Sequence, residues 1–171
     1  RADLSVLGEE EIVQTWRNSF PPVGLIGGPP CQSFSISNVY QTSDDPRHRL
    51  PEHYARILKA LNQAFAIHFF VLENVPGLVT KRHREKFARL IALFRDAGFR
   101  VFEGSLDAKD FGVAQVRRRV FVVGLNATLY PDVEFEFPLR TVSNPRTVRQ
   151  AIGHLAEPAH FARSLRVEDI P

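Results

Sequence analysis

Methionine is absent from the 171 residues, and cysteine and tryptophan occur once each. A single cysteine excludes an internal disulfide framework. It fits a reducing compartment, where a lone thiol is either buried or reactive. No apolar run is long enough to span a bilayer; the longest, Ala64 to Leu72, is interrupted by His68. The N-terminus lacks the charged-then-apolar pattern of a signal peptide. No repeat or low-complexity tract is present, and the six histidines are scattered without paired ligand spacing, so no metal is expected. The chain starts at Arg1 and stops at Pro171 just after an acidic turn, and it reads as a piece of a longer protein cut at both ends.

What is present is an ordinary globular composition, 44% hydrophobic and 24% charged, with a formal net charge of +3. Arginine far outnumbers lysine. That suits bidentate contacts to phosphate or carboxylate, although genomic base composition gives the same bias. Short apolar runs alternate with helical patterns. An acidic first turn opens a helix over Gly8–Trp16. Val23–Ile26 reads as a buried strand, and Gly27-Gly28-Pro29-Pro30 as a sharp loop. Residues 33–49 are polar and read as a long loop. Helical spacing resumes over Pro51–Ala66, with proline near its start. Phe69–Leu72 is a second buried strand. Arg84–Ala97 forms an amphipathic helix with Phe87, Leu90, Ile91 and Phe94 on one face and Gly98 as its stop. Strands follow over Arg100–Leu106 and Arg119–Gly124, and Thr147–Leu155 is a further short helix. Alternating strands and helices predict an α/β layered sheet. In such sheets the chemistry lies just past the carboxyl ends of the strands, where Cys31 and Glu73 both fall.

A lone cysteine is more often an inert core residue. Here two glycines and two prolines precede Cys31 and Gln32-Ser33 follows it, which excludes a regular helix or strand and an apolar setting. A thiol held on a rigid loop at a sheet mouth is placed as a nucleophile. Glu73 ends a strand of Phe, Val and Leu. A carboxylate there is usually solvated, but one beside apolar residues can hold a proton near neutral pH. Arg117, Arg118 and Arg119 lead into a strand; by alternation Arg117 and Arg119 share one side, able to clamp an anion or a base edge. A charge run of this kind is otherwise a solvated face.

Together these segments resemble the DNA (cytosine-5) methyltransferase family, in the family's order and spacing. Gly27-Gly28-Pro29-Pro30-Cys31-Gln32-Ser33-Phe34-Ser35 resembles its nucleophile loop, Glu73-Asn74-Val75 its glutamate motif, and Gln115-Val116-Arg117-Arg118-Arg119 its Gln-x-Arg-x-Arg motif. Asp45-Pro46-Arg47 with Leu50 looks like the family's downstream loop. The resemblance covers about Asp3 to Leu155. It implies a Rossmann-like S-adenosylmethionine-dependent methyltransferase sheet, incomplete here. The Gly-rich cofactor motif, the acidic residue that holds the ribose and the target-recognition domain lack counterparts in these residues. Residues 1–135 would be the partial catalytic core, and 136–171 would lead toward target recognition, with Thr147–Gly153 at the junction. Asn38 stands where the family often has glycine; asparagine tolerates a left-handed conformation.

The resemblance implies that Cys31 attacks C6 of a cytosine flipped out of duplex DNA, that Glu73 binds and protonates N3, and that Arg119 holds the O2 edge with Arg117 in support. Asp3, Leu4 and Pro30 would contact S-adenosylmethionine, the methyl donor. Gln32 and Ser35 would contact the nucleic acid, Ser35 at a phosphate. No metal and no membrane are implied. The setting would be bacterial restriction–modification or phage-like, hence cytoplasmic and nucleoid-associated, or nuclear in a eukaryote. Three alternatives stay open. Some family members methylate transfer RNA. A non-catalytic DNA-contacting fragment would lack the cofactor motif, as here. A thiol hydrolase would need a histidine base, and no hydrolase pattern surrounds His48 or His53.

Overall fold

The computed structural model describes residues 8–17, 20–30 and 49–155. Within the first of two compact units, comprising residues 1–107 and 118–139, helices pack on a sheet as one α/β layer pair. The elements in chain order are α1 (Glu9–Arg17), β1 (Gly24–Gly27), α2 (Leu50–Phe65), β2 (Phe69–Asn74), α3 (Arg84–Asp96), β3 (Phe99–Asp107) and β4 (Arg118–Asn126). The sheet order is β1-β2-β4-β3, with β1 parallel to β2 and β4 antiparallel to both its neighbours. This open mixed sheet is the α/β architecture that the alternating pattern predicts.

Sequence explains most of the boundaries. Glu9, Glu10 and Glu11 place negative charge on the first turn of α1, where the exposed amides favour it. Pro51 lies in the first turn of α2, where its missing N–H is not needed. Gly98 follows α3 with φ +94°, a conformation glycine adopts without penalty. The other long helix ends less comfortably. Ala66 takes φ +51° as its amide caps back to the Asn62 carbonyl at 3.0 Å. Only the tight connection to β2 three residues on accounts for that strained alanine.

The core lies between the two long helices and one sheet face. Phe70 and Leu72 of β2, Phe99 of β3 and Val122 of β4 meet Leu58 and Leu61 of α2 and Leu90, Ile91 and Phe94 of α3. The Phe70 ring packs against Phe94 and Phe99, with centroids 4.4 and 5.3 Å apart. It fills the space a side chain at Gly124 would need, since a Cβ there would sit 2.0 Å from the ring.

Two sequence expectations require correction. Val23–Ile26, read as a buried strand, is displaced by one residue, and Ile26 is 72% exposed. The run lies on the outermost strand of the described sheet. Phe69–Leu72, also read as buried on both faces, extends through Glu73 and Asn74. Its side chains alternate, with Phe70, Leu72 and Asn74 buried and Phe69, Val71 and Glu73 half-buried. Glu73 therefore belongs to the strand rather than to the loop after it.

Tyr54 links the two parallel strands. Its hydroxyl lies 2.9 Å from the Leu25 carbonyl and 3.0 Å from the Val71 carbonyl, and its ring occupies the space a Cβ at Gly27 would fill. Burial pushes the Tyr54 hydroxyl pKa well above its ordinary value, so it stays a donor at any physiological pH. Tyr54→Phe removes that donor and leaves two strand carbonyls less satisfied. It is expected to lower stability by about 1–2 kcal/mol; urea unfolding of the full-length protein with an unchanged midpoint would show that the clamp contributes nothing.

The second unit, residues 108–117 and 140–171, holds together around Asp110. Its carbonyl accepts from the amides of Thr141 and Val142, both at 3.1 Å. Helix α4 (Val148–Ile152) is shorter than the Thr147–Leu155 reading. It opens on a capping box in which Thr147 and Gln150 each bond the other's backbone amide.

Candidate active site

The carboxyl edge of the sheet collects the site. β1 and β2 run parallel and end there, and the antiparallel β4 begins there. Glu73 thus leaves the sheet at the same edge at which Arg119 enters it. Glu73 stands opposite Phe121 in the register, and Arg119, two residues before Phe121, shares its face. The Arg119 Nε donates to Glu73 Oε1 at 2.8 Å, and its Nη1 donates to the Arg118 carbonyl at 2.8 Å. With the side chains 23% and 36% exposed, solvent screens the pair. It contributes orientation more than stability.

The Gly27–Pro30 turn closes over this pair from the end of β1. Gly28 is placed so that an added Cβ would lie 3.1 Å from Glu73 Oε2. Glycine here lets the turn pass directly above a carboxylate. Asn74 fixes the turn from the other side. This buried side chain donates to the Pro29 carbonyl at 3.3 Å and accepts from the Val75 amide at 2.7 Å. It stitches the two loop starts together, a role that nothing in the spacing of the sequence indicates. Its position inside the Glu73-Asn74-Val75 triplet was the available signal.

Of the site residues singled out from sequence, Glu73, Arg117, Arg119 and Pro30 are described, and Glu73 and Arg119 are in contact. Arg117 belongs to the second unit, where its carbonyl accepts from the Ala108 amide at 3.0 Å. Asp3, Leu4, Cys31, Gln32, Ser35 and Asn38 lie outside the described residues, as do the 33–48 loop and Asp45-Pro46-Arg47. Among the described residues no group of three or more His, Cys, Asp or Glu side chains is placed to hold a metal ion. No helix among them is long and apolar enough to cross a membrane.

Chemically, the Glu73–Arg119 pair offers a carboxyl group and a guanidinium side by side. Together they match a planar heterocycle that presents ring nitrogen and amine on one edge and a carbonyl oxygen on the next.

Comparison with known proteins agrees in sequence and in fold. The family model for C-5 cytosine-specific DNA methylase matches residues 6–168. The Type II methyltransferase M.MthTI of Methanothermobacter thermautotrophicus is 43% identical over 136 residues, which is 80% of this chain and 39% of that protein. M.FnuDI of Fusobacterium nucleatum is 44% identical over 117 residues, 68% of this chain and 33% of that protein. The chain thus spans about two-fifths or less of the length of these relatives. Among solved structures, an E. coli prophage-encoded protein described as a DNA modification methyltransferase superposes with a TM-score of 0.71 at 29% identity, covering 91% of this chain and 41% of its own. The S. pombe Dnmt2 methyltransferase shares the fold, with a TM-score of 0.54 at 18% identity over 99% of this chain and 45% of its own.

Proposed function

The chain belongs to the C-5 cytosine-specific DNA methylase family, and from that premise we propose that its protein methylates C5 of a cytosine flipped out of duplex DNA, with Cys31 as nucleophile. The observation that carries the reading is the Glu73–Arg119 pair at the carboxyl edge of the sheet, directly below the turn that leads into Cys31.

C5 of cytosine is a weak nucleophile. Addition of the Cys31 thiolate to C6 makes C5 the nucleophilic carbon of an enamine, and the covalent route replaces one hard step by two easier ones. Glu73 accepts a hydrogen bond from the exocyclic amine and delivers a proton to N3, which keeps negative charge from building on the ring. Arg119 moves from its partner carboxylate to the O2 edge of the base. Arg117, just before β4, is proposed to support Arg119. After methylation a base removes the C5 proton, the Cys31–C6 bond breaks and N3 returns its proton to Glu73, restoring the aromatic ring and the thiolate. A stacked base does not expose C6, so the cytosine has to leave the duplex. Gln32 and Ser35 would contact the nucleic acid, Ser35 at a backbone phosphate near the flipped base.

S-adenosylmethionine, when bound, supplies the electrophilic methyl group. Asp3, Leu4 and Pro30 are the residues proposed to hold it. Pro30, three residues past β1, is exposed and so open to a bound ligand. The test is direct. Full-length protein is incubated with S-adenosylmethionine and either a broad pool of duplex DNA or transfer RNA, and digested nucleosides are analysed for 5-methylcytosine. Product in DNA supports the reading. Product in transfer RNA alone replaces the substrate, and none in either assigns the protein to a non-catalytic role.

The close passage of the turn over Glu73 gives a second, narrower expectation. Gly28→Ala forces the carboxylate away by a few tenths of an ångström while Arg119 still holds it. We expect kcat to fall about tenfold, since small misplacements of catalytic groups are costly. Thermal stability should stay unchanged. A variant with wild-type kcat would mean that the turn does not set the position of Glu73.

A further inference from the structure

A second feature of the same sheet edge lies away from the base pocket. Three residues connect α2 to β2 and two connect α3 to β3, so each helix ends at the amino edge of its strand. A helix the length of α2 spans about 24 Å, which returns its start to the carboxyl edge. β3, like β2, is antiparallel to β4, so α3 starts at that edge too. Between the two helix starts opens a groove of about 600 Å³. Among the described residues its walls carry Arg49, His53, Arg56, Lys86 and Arg89 against a single carboxylate, Glu52. The buried Leu78 and Leu90 form its floor.

Arg56 meets Glu9 at 2.7 Å and Arg89 meets Glu52 at 3.5 Å. Arg49 at one end of the groove is exposed, and so are Lys81, Arg82 and Arg84 on the approach to α3. Arg49, Arg56, Lys81, Arg82, Arg84, Lys86 and Arg89 outnumber the described acids nearby, Glu9, Glu10, Glu11, Glu52 and Glu85, in a chain whose net charge is only +3. Such concentration of one sign around a concave surface focuses field and attracts a polyanion.

We infer that this groove and its rim bind the phosphodiester backbone of the substrate nucleic acid, flanking the nucleotide whose base enters the Glu73–Arg119 pocket. The identity of the polyanion rests on the proposed methylation reaction, which brings nucleic acid to this edge. The charge pattern does not. Arginine suits the task because its planar fork donates two parallel hydrogen bonds to a phosphate. Contacts of this kind fix register along the strand without reading sequence.

The experiment uses the full-length protein with a fluorescent 30-base-pair duplex. Binding is measured by anisotropy across a salt series for wild type, for Arg49→Gln/Arg82→Gln/Arg84→Gln, and for the matching triple Lys variant. Each lost phosphate contact removes about one unit from the slope of log affinity against log salt. The Gln variant is therefore expected to bind about 10–100-fold more weakly near 0.1 M salt, with a slope shallower by about 3. The Lys variant should keep most of the slope. Thermal melts identify any loss caused by unfolding. An unchanged slope in a folded Gln variant overturns the inference, whatever the methylation assay gives. A slope that falls while wild type makes no 5-methylcytosine supports the groove and removes only the reaction.

Discussion

Cys31→Ala is expected to abolish methyl transfer, by about 10⁴-fold or more, equivalent to about 5 kcal/mol of barrier. Without the thiolate there is no addition at C6, and C5 remains part of an aromatic ring that does not attack an alkyl donor. No neighbouring side chain replaces a sulfur nucleophile, because the hydroxyl of Ser33 or Ser35 is far less ionised near neutral pH than a thiol. Stability should change by less than about 0.5 kcal/mol, since the surrounding Gly27–Pro30 and Gln32-Ser33 residues do not place the thiol in an apolar core. Duplex DNA carrying 5-fluorocytosine gives the clearest readout. Fluorine at C5 cannot be lost as a proton is, so elimination stops and the protein stays attached through sulfur. A denaturant-resistant complex with wild type that disappears in Cys31→Ala identifies both the route and the nucleophile. Methyl transfer retained in the variant would sink the covalent mechanism.

The linear sequence reveals local features well and long-range register poorly. Helical spacing places α2 and α3 within a residue or two, because proline and glycine mark their ends. The cap at Ala66 was not legible, since alanine gives no sign of a left-handed conformation. The apolar run at β1 identified a strand but not its exposure, because the same four residues suit a central strand or an edge. Thr147 and Gln150 do carry the start of α4 in plain view, as a Thr-x-x-Gln capping pattern. The motifs themselves were legible as an ordered set. What spacing could not give is the contact between Glu73 and Arg119, which lie 46 residues apart and meet only through the antiparallel pairing of β2 with β4. The stitching of Asn74 to Pro29 is of the same kind. The cationic groove was hidden for a similar reason, since Arg49 and Arg89 come together only when two helices start at one edge.

Glu73→Gln tests the other half of the pocket and should fail differently. The amide keeps the volume of the carboxylate, so the Gly28 turn above it is undisturbed. It also keeps an oxygen that can accept from the exocyclic amine of the base. It loses the proton that N3 requires and the charge that holds Arg119. General acid catalysis contributes about 10²–10⁴-fold, and kcat is expected to fall within that range. Because the lost interaction matters most as charge develops on the ring, kcat and kcat/KM should fall together, whereas KM should move little. Sulfur remains available at position 31, so the 5-fluorocytosine complex should still form, only more slowly, where Cys31→Ala yields none. Rates equal to wild type would remove Glu73 from the chemistry and leave Arg119 as its structural partner alone. A complex that never forms would instead mean that addition itself depends on the proton, making protonation at N3 inseparable from attack at C6.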